Sequence, residues 1–294
     1  MSDKGYLEDI LASQTLDPDG QEMKDLRSRR AEVEKLLRGK FAECSPTIRY
    51  GGSKAKGTMI KEAYDLDMTC YFGRDENGAG ETLQEIYGNV EAALAGDYLI
   101  TRKASALRLK SKSLSDWAAD FHIDVVPGRF IDEENEDVFL YRSSGEKGRQ
   151  KTNLDLHIEH VRGSGVTDAI RLLKLWRARN FLSVRHFVLE LLTIELLKGK
   201  KSLDLPGQLK HVWTELRDNV EDITIEDPAN PTGNDLSELF NATVRQELSS
   251  TARRTLELIE RSGWEAVFGA VPEKPSRSNV VAGYTARSMG SFGE

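Results

Sequence analysis

Two aspartates spaced i, i+2, Asp65 and Asp67, follow a small-residue turn, Gly51-Gly52-Ser53-Lys54-Ala55-Lys56-Gly57-Thr58. In a strand, residues two apart point to the same face. Asp65, Asp67 and Thr69 would share one face, and Leu66, Met68, Cys70 and Phe72 the other, which can meet a core. Two carboxylates on one edge repel each other unless a cation sits between them. Hard ions such as Mg2+ take such oxygen ligands, usually with substrate phosphates completing the shell. The preceding turn offers backbone N–H groups that make an anion cradle, and Lys54 and Lys56 add charge nearby. It is not a Walker A loop, because Gly57 runs directly into Thr58 with no lysine between.

A third carboxylate comes later, in Asp120-Phe121-His122-Ile123-Asp124-Val125-Val126-Pro127. Phe121, Ile123 and Val125 alternate with His122, Asp124 and Val126, which reads as a strand with Asp124 away from its apolar stripe. Asp124 then either faces solvent on an edge strand or joins Asp65 and Asp67.

Other elements must hold these residues. Met23, Leu26, Val33, Leu36 and Leu37 predict a helix over 21–38; residues 1–20 are polar and end in a turn. Strands are expected at Thr47–Tyr50, Asp65–Phe72, Tyr98–Arg102, Ala106–Lys110 and Val138–Arg142, with a helix at Leu83–Ala95. From residue 153 the pattern is helical: Leu154–Val161, Asp168–Asn180 with Thr167 as its cap, Phe187–Leu197, Leu209–Asn219 and Leu236–Glu260. His157 and His160 lack further ligands at a zinc spacing and read as structural. The stretch after Val271 reads as a flexible tail.

Composition narrows the class. With 294 residues, 39% hydrophobic and 30% charged, the chain suits a globular protein of one large or two ordinary domains. No apolar run reaches the roughly 18 residues of a membrane span, and the polar first ten residues do not read as a signal peptide, so a cytoplasmic location is expected. Two cysteines exclude a disulfide scaffold and a four-cysteine zinc site. The net charge of −7 argues against a broad nucleic-acid face. One basic stretch stands out, Arg102, Lys103, Arg108, Lys110 and Lys112. It tracks a phosphate backbone, binds a triphosphate, or is the solvated side of a hairpin.

The Gly52-Ser53 turn, the Asp65/Asp67 pair about a dozen residues on, and Asp124 together resemble the nucleotidyltransferase fold of the DNA polymerase β type. In the second half, Leu172-Leu173-Lys174-Leu175-Trp176, Leu189-Glu190-Leu191-Leu192-Thr193 and Asp227-Pro228-Ala229-Asn230-Pro231-Thr232-Gly233-Asn234 follow in order. They resemble the helical domain of 2′-5′-oligoadenylate synthases and their bacterial relatives, the cGAS/DncV-like nucleotidyltransferases (CD-NTases). The similarity spans roughly residues 20–265, and the Asp-Pro-x-x-Pro-Thr-Gly-Asn string is its most specific part.

The resemblance implies an α+β, bilobal protein: a nucleotidyltransferase lobe with a mixed sheet over 1–160, a helical lobe over 161–270, a tail over 271–294 and the active site in the cleft between the lobes. It implies that Asp65, Asp67 and Asp124 hold two Mg2+ ions, with Mn2+ able to substitute. Gly52, Ser53 and Lys56 would hold the donor triphosphate, with Lys174 as a triphosphate-binding lysine. His186 and Phe187 fall where the family has a polar residue and a base-stacking aromatic, although Phe187 on its apolar helix also fits a core. The implied activity is template-independent synthesis of a cyclic di- or trinucleotide messenger from NTPs, ATP among them, in bacterial antiphage signalling. A linear oligoadenylate synthase, a protein or drug adenylyltransferase and an inactive nucleotide-binding module are the alternatives. Nucleic-acid activation and membrane association are not expected; a regulatory protein partner is left open.

Overall fold

A computed structural model describes residues 2–112, 122–143 and 148–272. The expected tail lies outside them from residue 273 on, as do Asp120 and Phe121. Among the described residues the elements run α1 (Asp3–Ser13), α2 (Gln21–Lys40), β1 (Thr47–Tyr50), α3 (Gly52–Lys56), β2 (Leu66–Phe72), α4 (Leu83–Leu94), β3 (Tyr98–Arg102), β4 (Leu107–Ser111), β5 (Ile123–Phe130), β6 (Asp137–Tyr141) and β7 (Arg149–Asn153). Six further segments end the order: α5 (Leu154–Arg162), α6 (Thr167–Arg179), α7 (His186–Leu196), α8 (Leu205–Asp218), α9 (Ala242–Ser262) and the single turn α10 (Glu265–Phe268), with a 3-10 turn at Ala42–Cys44 earlier in the chain.

The strands form one mixed sheet in the order β1-β2-β5-β4-β3, with β6 on the far half of β5 and β7 on β6. Among the described residues, only β2 and β5 run parallel; the other pairs are antiparallel. The alternation read from β2 decides its burial: Leu66, Met68, Cys70 and Phe72 are fully buried, and with Ile123 and Val125 they pack against Leu26, Val33 and Leu37 of α2 and Ile86, Val90 and Leu94 of α4. A second core lies among the helices, where Trp176 and Trp213 approach to 5.8 Å between ring centroids. Leu7, Ile10 and Leu11 of α1 belong to this second core, so the N-terminal segment read as merely polar is an amphipathic helix packed on α6 and α8. No helix among the described residues is long and apolar enough to cross a membrane.

Local differences have physical causes. Helix α6 starts at Thr167 itself, with Val166 at the cap position and no side-chain cap bond, so Thr167 is not the N-cap. Helix α9 starts at Ala242 rather than Leu236, because the Asn241 side chain caps it by accepting from the Val244 N–H at 3.1 Å.

Candidate active site

The site starts from the end of β1. Gly51 N–H donates to the Asp67 carbonyl at 2.8 Å, tying the turn to β2. The backbone then enters α3 through Gly52, whose φ is +49°. A Cβ at Gly52 would lie 1.6 Å from Asp67 Oδ2, so only glycine lets the turn lie against that carboxylate. The turn closes at Gly57, also at positive φ, and the Thr58 N–H donates to the Ser53 carbonyl at 3.0 Å.

The parallel register of β2 and β5 sets Asp67 directly opposite Asp124. Asp65 sits just before β2, with His122 Nε2 3.0 Å from its Oδ1 but not angled for a well-formed hydrogen bond. Burial pushes the Asp67 carboxyl up, and the neighbouring Asp124 and Asp65 push it further, to about 7. Asp65 is held below the usual range despite burial, because His122 and Arg108 stand beside it. Asp124 has both oxygens engaged by Arg108: Nε to Oδ1 at 2.9 Å and Nη2 to Oδ2 at 2.7 Å. Arg108 and Asp124 are cross-strand partners on β4 and β5.

The three aspartates are thus neighbours, but among the described residues no group of three or more His, Cys, Asp or Glu side chains already forms a metal-ligand set. The donor chemistry nevertheless fits hard divalent ions. Three carboxylates are set side by side, and the like charge that burial and two acidic neighbours concentrate on Asp67 is what a bound cation would relieve.

Lys56 and Lys174 do not present free ammonium groups to a triphosphate. Both are buried and converge on Glu190 of α7. Lys56 Nζ donates to Glu190 Oε2 at 2.8 Å, and Lys174 Nζ to Oε1 at 2.5 Å. The Thr58 hydroxyl donates to Glu190 Oε1 at 2.7 Å and accepts from Lys174 at 2.8 Å. Burial alone would raise the Glu190 carboxyl, but Lys174 and Lys56 together bring it down to about 2. Burial pulls Lys174 below its ordinary value; Glu190 opposes this, but it is shared with Lys56, which repels Lys174.

His186 and Phe187 open α7. Burial lowers His186 to about 4, helped by Arg177 and Lys174, so the ring is neutral at pH 7. Its Nε2 is 3.3 Å from Arg177 Nη1. Phe187 is half-buried, not a core residue; Lys56 Nζ lies 5.0 Å from its ring centroid and the His157 ring 5.1 Å away. His157 in turn bonds Asp227 Oδ1 at 2.7 Å, and Asn234 Nδ2 donates to Asp227 Oδ2 at 2.7 Å. The Asp227 string therefore braces α5 from behind.

Three residues of the basic stretch are held by the fold itself. Arg102 pairs with Glu91, Arg108 with Asp124, and Lys112 donates to the Ala95 and Gly96 carbonyls.

Solved structures share this fold. The chain superposes on CdnC of E. coli MS115-1 in its complex with HORMA-deltaN at a TM-score of 0.66, with 17% identity, 92% of this chain and 98% of that one covered. The CD-NTase CdnG of Bradyrhizobium diazoefficiens in complex with GTP gives 0.68, with 13% identity and coverages of 90% and 94%. The DncV cyclic AMP-GMP synthase of Vibrio cholerae with nonhydrolyzable GTP gives 0.60, with 17% identity and coverages of 90% and 84%. The fold is that of the CD-NTases. No protein-family model matches the sequence, and no curated protein sequence does.

Within this CD-NTase fold, sequence reasoning missed Glu190 and His122 and placed Arg108 in a basic stretch without its tie to Asp124. Glu190 did carry a signal: it is the one acid within the apolar run Val188–Ile194, and a carboxylate placed there is buried and calls for a cation. Arg108 carried one too, alternating with Leu107 and Leu109 of a strand that lies beside Asp124.

Proposed function

We propose that this chain is a template-independent nucleotidyltransferase that joins NTPs, releasing pyrophosphate, into a cyclic di- or trinucleotide. The observation that carries the reading is the Asp67–Asp124 pairing across β2 and β5, set against the Gly52-Ser53 turn. It stands in a fold whose solved examples include a cyclic AMP-GMP synthase.

Asp65, Asp67 and Asp124 would hold Mg2+, or Mn2+ in its place. Bound there, two such ions would activate a ribose hydroxyl and offset the charge on the departing pyrophosphate. Asp124, level with Asp67 across the parallel pair, would take the hydroxyl proton at a carboxylate oxygen. Gly52 and Ser53 would receive the donor triphosphate on backbone N–H groups. Lys56 and Lys174 would act from behind the turn, lending it positive field while Glu190 fixes their places. Phe187 would stack on the donor base, and neutral His186 could both donate to it and accept from it. A role in antiphage signalling and a regulatory protein partner belong to the same reading; one similar structure is of CdnC bound to HORMA-deltaN.

The test is direct. Purified protein with Mg2+ or Mn2+ and labelled NTPs is expected to yield a phosphatase-resistant product. The double variant Asp65→Ala, Asp67→Ala is expected to lose it by at least about 100-fold, the loss typical of one preorganised electrostatic group. Full activity in that variant sinks the assignment. A phosphatase-sensitive product points to a linear oligonucleotide, and a labelled protein band to an adenylyltransferase. The Arg108–Asp124 pair favours one second reading, a catalytically silent nucleotide binder, because it occupies the third carboxylate. Tight NTP binding without turnover would support it.

A further inference from the structure

The guanidinium of Arg108 takes both oxygens of Asp124 in a half-buried, bidentate pair. The pairing is built into the sheet, because the two residues face each other across β4 and β5. Arginine stays charged under all working conditions. A divalent ion seated between Asp67 and Asp124 would therefore meet a fixed positive charge and a carboxylate with both oxygens already engaged. Bonds of this kind, between charged groups, are the strong ones. A triphosphate is an incoming group that offers a guanidinium acceptors as good as a carboxylate, again in a bidentate fork.

We propose that Arg108 guards the third carboxylate: it holds Asp124 in the nucleotide-free protein and passes to the triphosphate when one arrives, so that nucleotide and divalent ion load together. This rests on reading Asp65, Asp67 and Asp124 as the metal-binding set. It assigns Arg108, read from sequence as part of a surface patch, to the site itself. Free metal then binds the empty site weakly, and each ligand tightens the other by the same factor, as linkage requires.

The experiment measures Mn2+ binding to the full chain by electron paramagnetic resonance, with and without saturating non-hydrolysable NTP analogues. In the wild type, Mn2+ is expected to bind weakly alone and at least about tenfold more tightly with the analogue, the effect of releasing one charged hydrogen-bonded pair. In Arg108→Met, Mn2+ is expected to bind about tenfold more tightly than in the wild type without nucleotide, and the nucleotide effect is expected to shrink. Arg108→Lys, which keeps the charge but loses the fork, is expected to fall between them. Thermal unfolding of each variant verifies the fold, and Arg102→Met serves as the exposed control. Unchanged or weaker Mn2+ binding in Arg108→Met, with the fold intact, overturns the proposal and makes Arg108 an orienting residue. If the wild type binds no Mn2+ even with nucleotide, or Asp67→Ala binds it equally well, the metal-site reading itself fails instead.

Discussion

Two charged clusters flank the Gly52–Gly57 turn, and they are built on opposite terms. On the sheet side, Asp65, Asp67 and Asp124 stand together with Arg108 and His122, and burial and the two acidic neighbours push Asp67 up to about 7. On the helical side, Lys56, Lys174, Thr58 and Glu190 bond one another and are all buried. The first cluster holds surplus like charge that a ligand can relieve. The second has its partners already and needs none. A site must keep some groups unsatisfied to bind anything, and the strain of doing so is supported by elements that are fully satisfied. Here the satisfied cluster joins α3 to α6 and α7, so it fixes the turn against which the unsatisfied one operates.

The contrast predicts opposite responses to matched substitutions. Glu190→Gln leaves two buried ammonium groups sharing an uncharged partner. Breaking a buried ion network in this way costs about 3–5 kcal/mol, read by denaturant unfolding. Asp67→Asn removes a repelling charge and is expected to leave stability unchanged or raise it by up to about 1 kcal/mol, while turnover is lost. If Asp67→Asn destabilises as much as Glu190→Gln does, the carboxylate edge is an ordinary structural cluster.

Acid sharpens the same distinction. Glu190 sits at about 2 in the fold against an ordinary 4.5, so the folded protein binds that proton less readily than the unfolded chain. Its contribution, about 3 kcal/mol by linkage, is complete above the unfolded value and lost as pH falls from 4.5 through about 2. Unfolding free energy measured across that window is expected to fall less steeply in Glu190→Gln than in the wild type. Equal slopes would remove Glu190 from the network.

What the sequence made legible follows the same divide. The alternation around Asp65, Asp67 and Asp124 was visible because strand periodicity is local, and β1 runs over Thr47–Tyr50 as the pattern reads. The register that sets Asp67 beside Asp124 was not, since it joins strands more than fifty residues apart. Strand β7 was missed because Arg149-Gln150-Lys151-Thr152-Asn153 carries no apolar alternation; its pairing with β6 defines it. Helix α1 was missed although Leu7, Ile10 and Leu11 have helical spacing, because three apolar residues among so many charges give a weak stripe. The destination of Lys174 was hidden for a different reason. A lysine beside an anion turn reads as a phosphate ligand until the acid that holds it is found, and that acid lies sixteen residues on, inside an apolar helix.

The smallest effect tests whether the satisfied cluster is a network or only a pair. Thr58 gives its hydroxyl to Glu190 and receives Lys174, yet Lys174 and Glu190 also touch directly. Thr58→Val keeps the shape and the backbone bond to Ser53 while deleting the hydroxyl. If the lysines and Glu190 carry the cluster alone, the loss is near zero. If the hydroxyl is an integral member, the loss is about 1–2 kcal/mol, the cost of a buried bond to charged groups left unmade. We expect the second, because both lysines share one carboxylate and the hydroxyl is a closer acceptor for Lys174, at 2.8 Å, than the Thr58 carbonyl at 3.4 Å. A double-mutant cycle of Thr58→Val with Glu190→Gln then measures the coupling between them. Simple additivity would reduce Thr58 to a spectator and leave the turn held by the lysines alone.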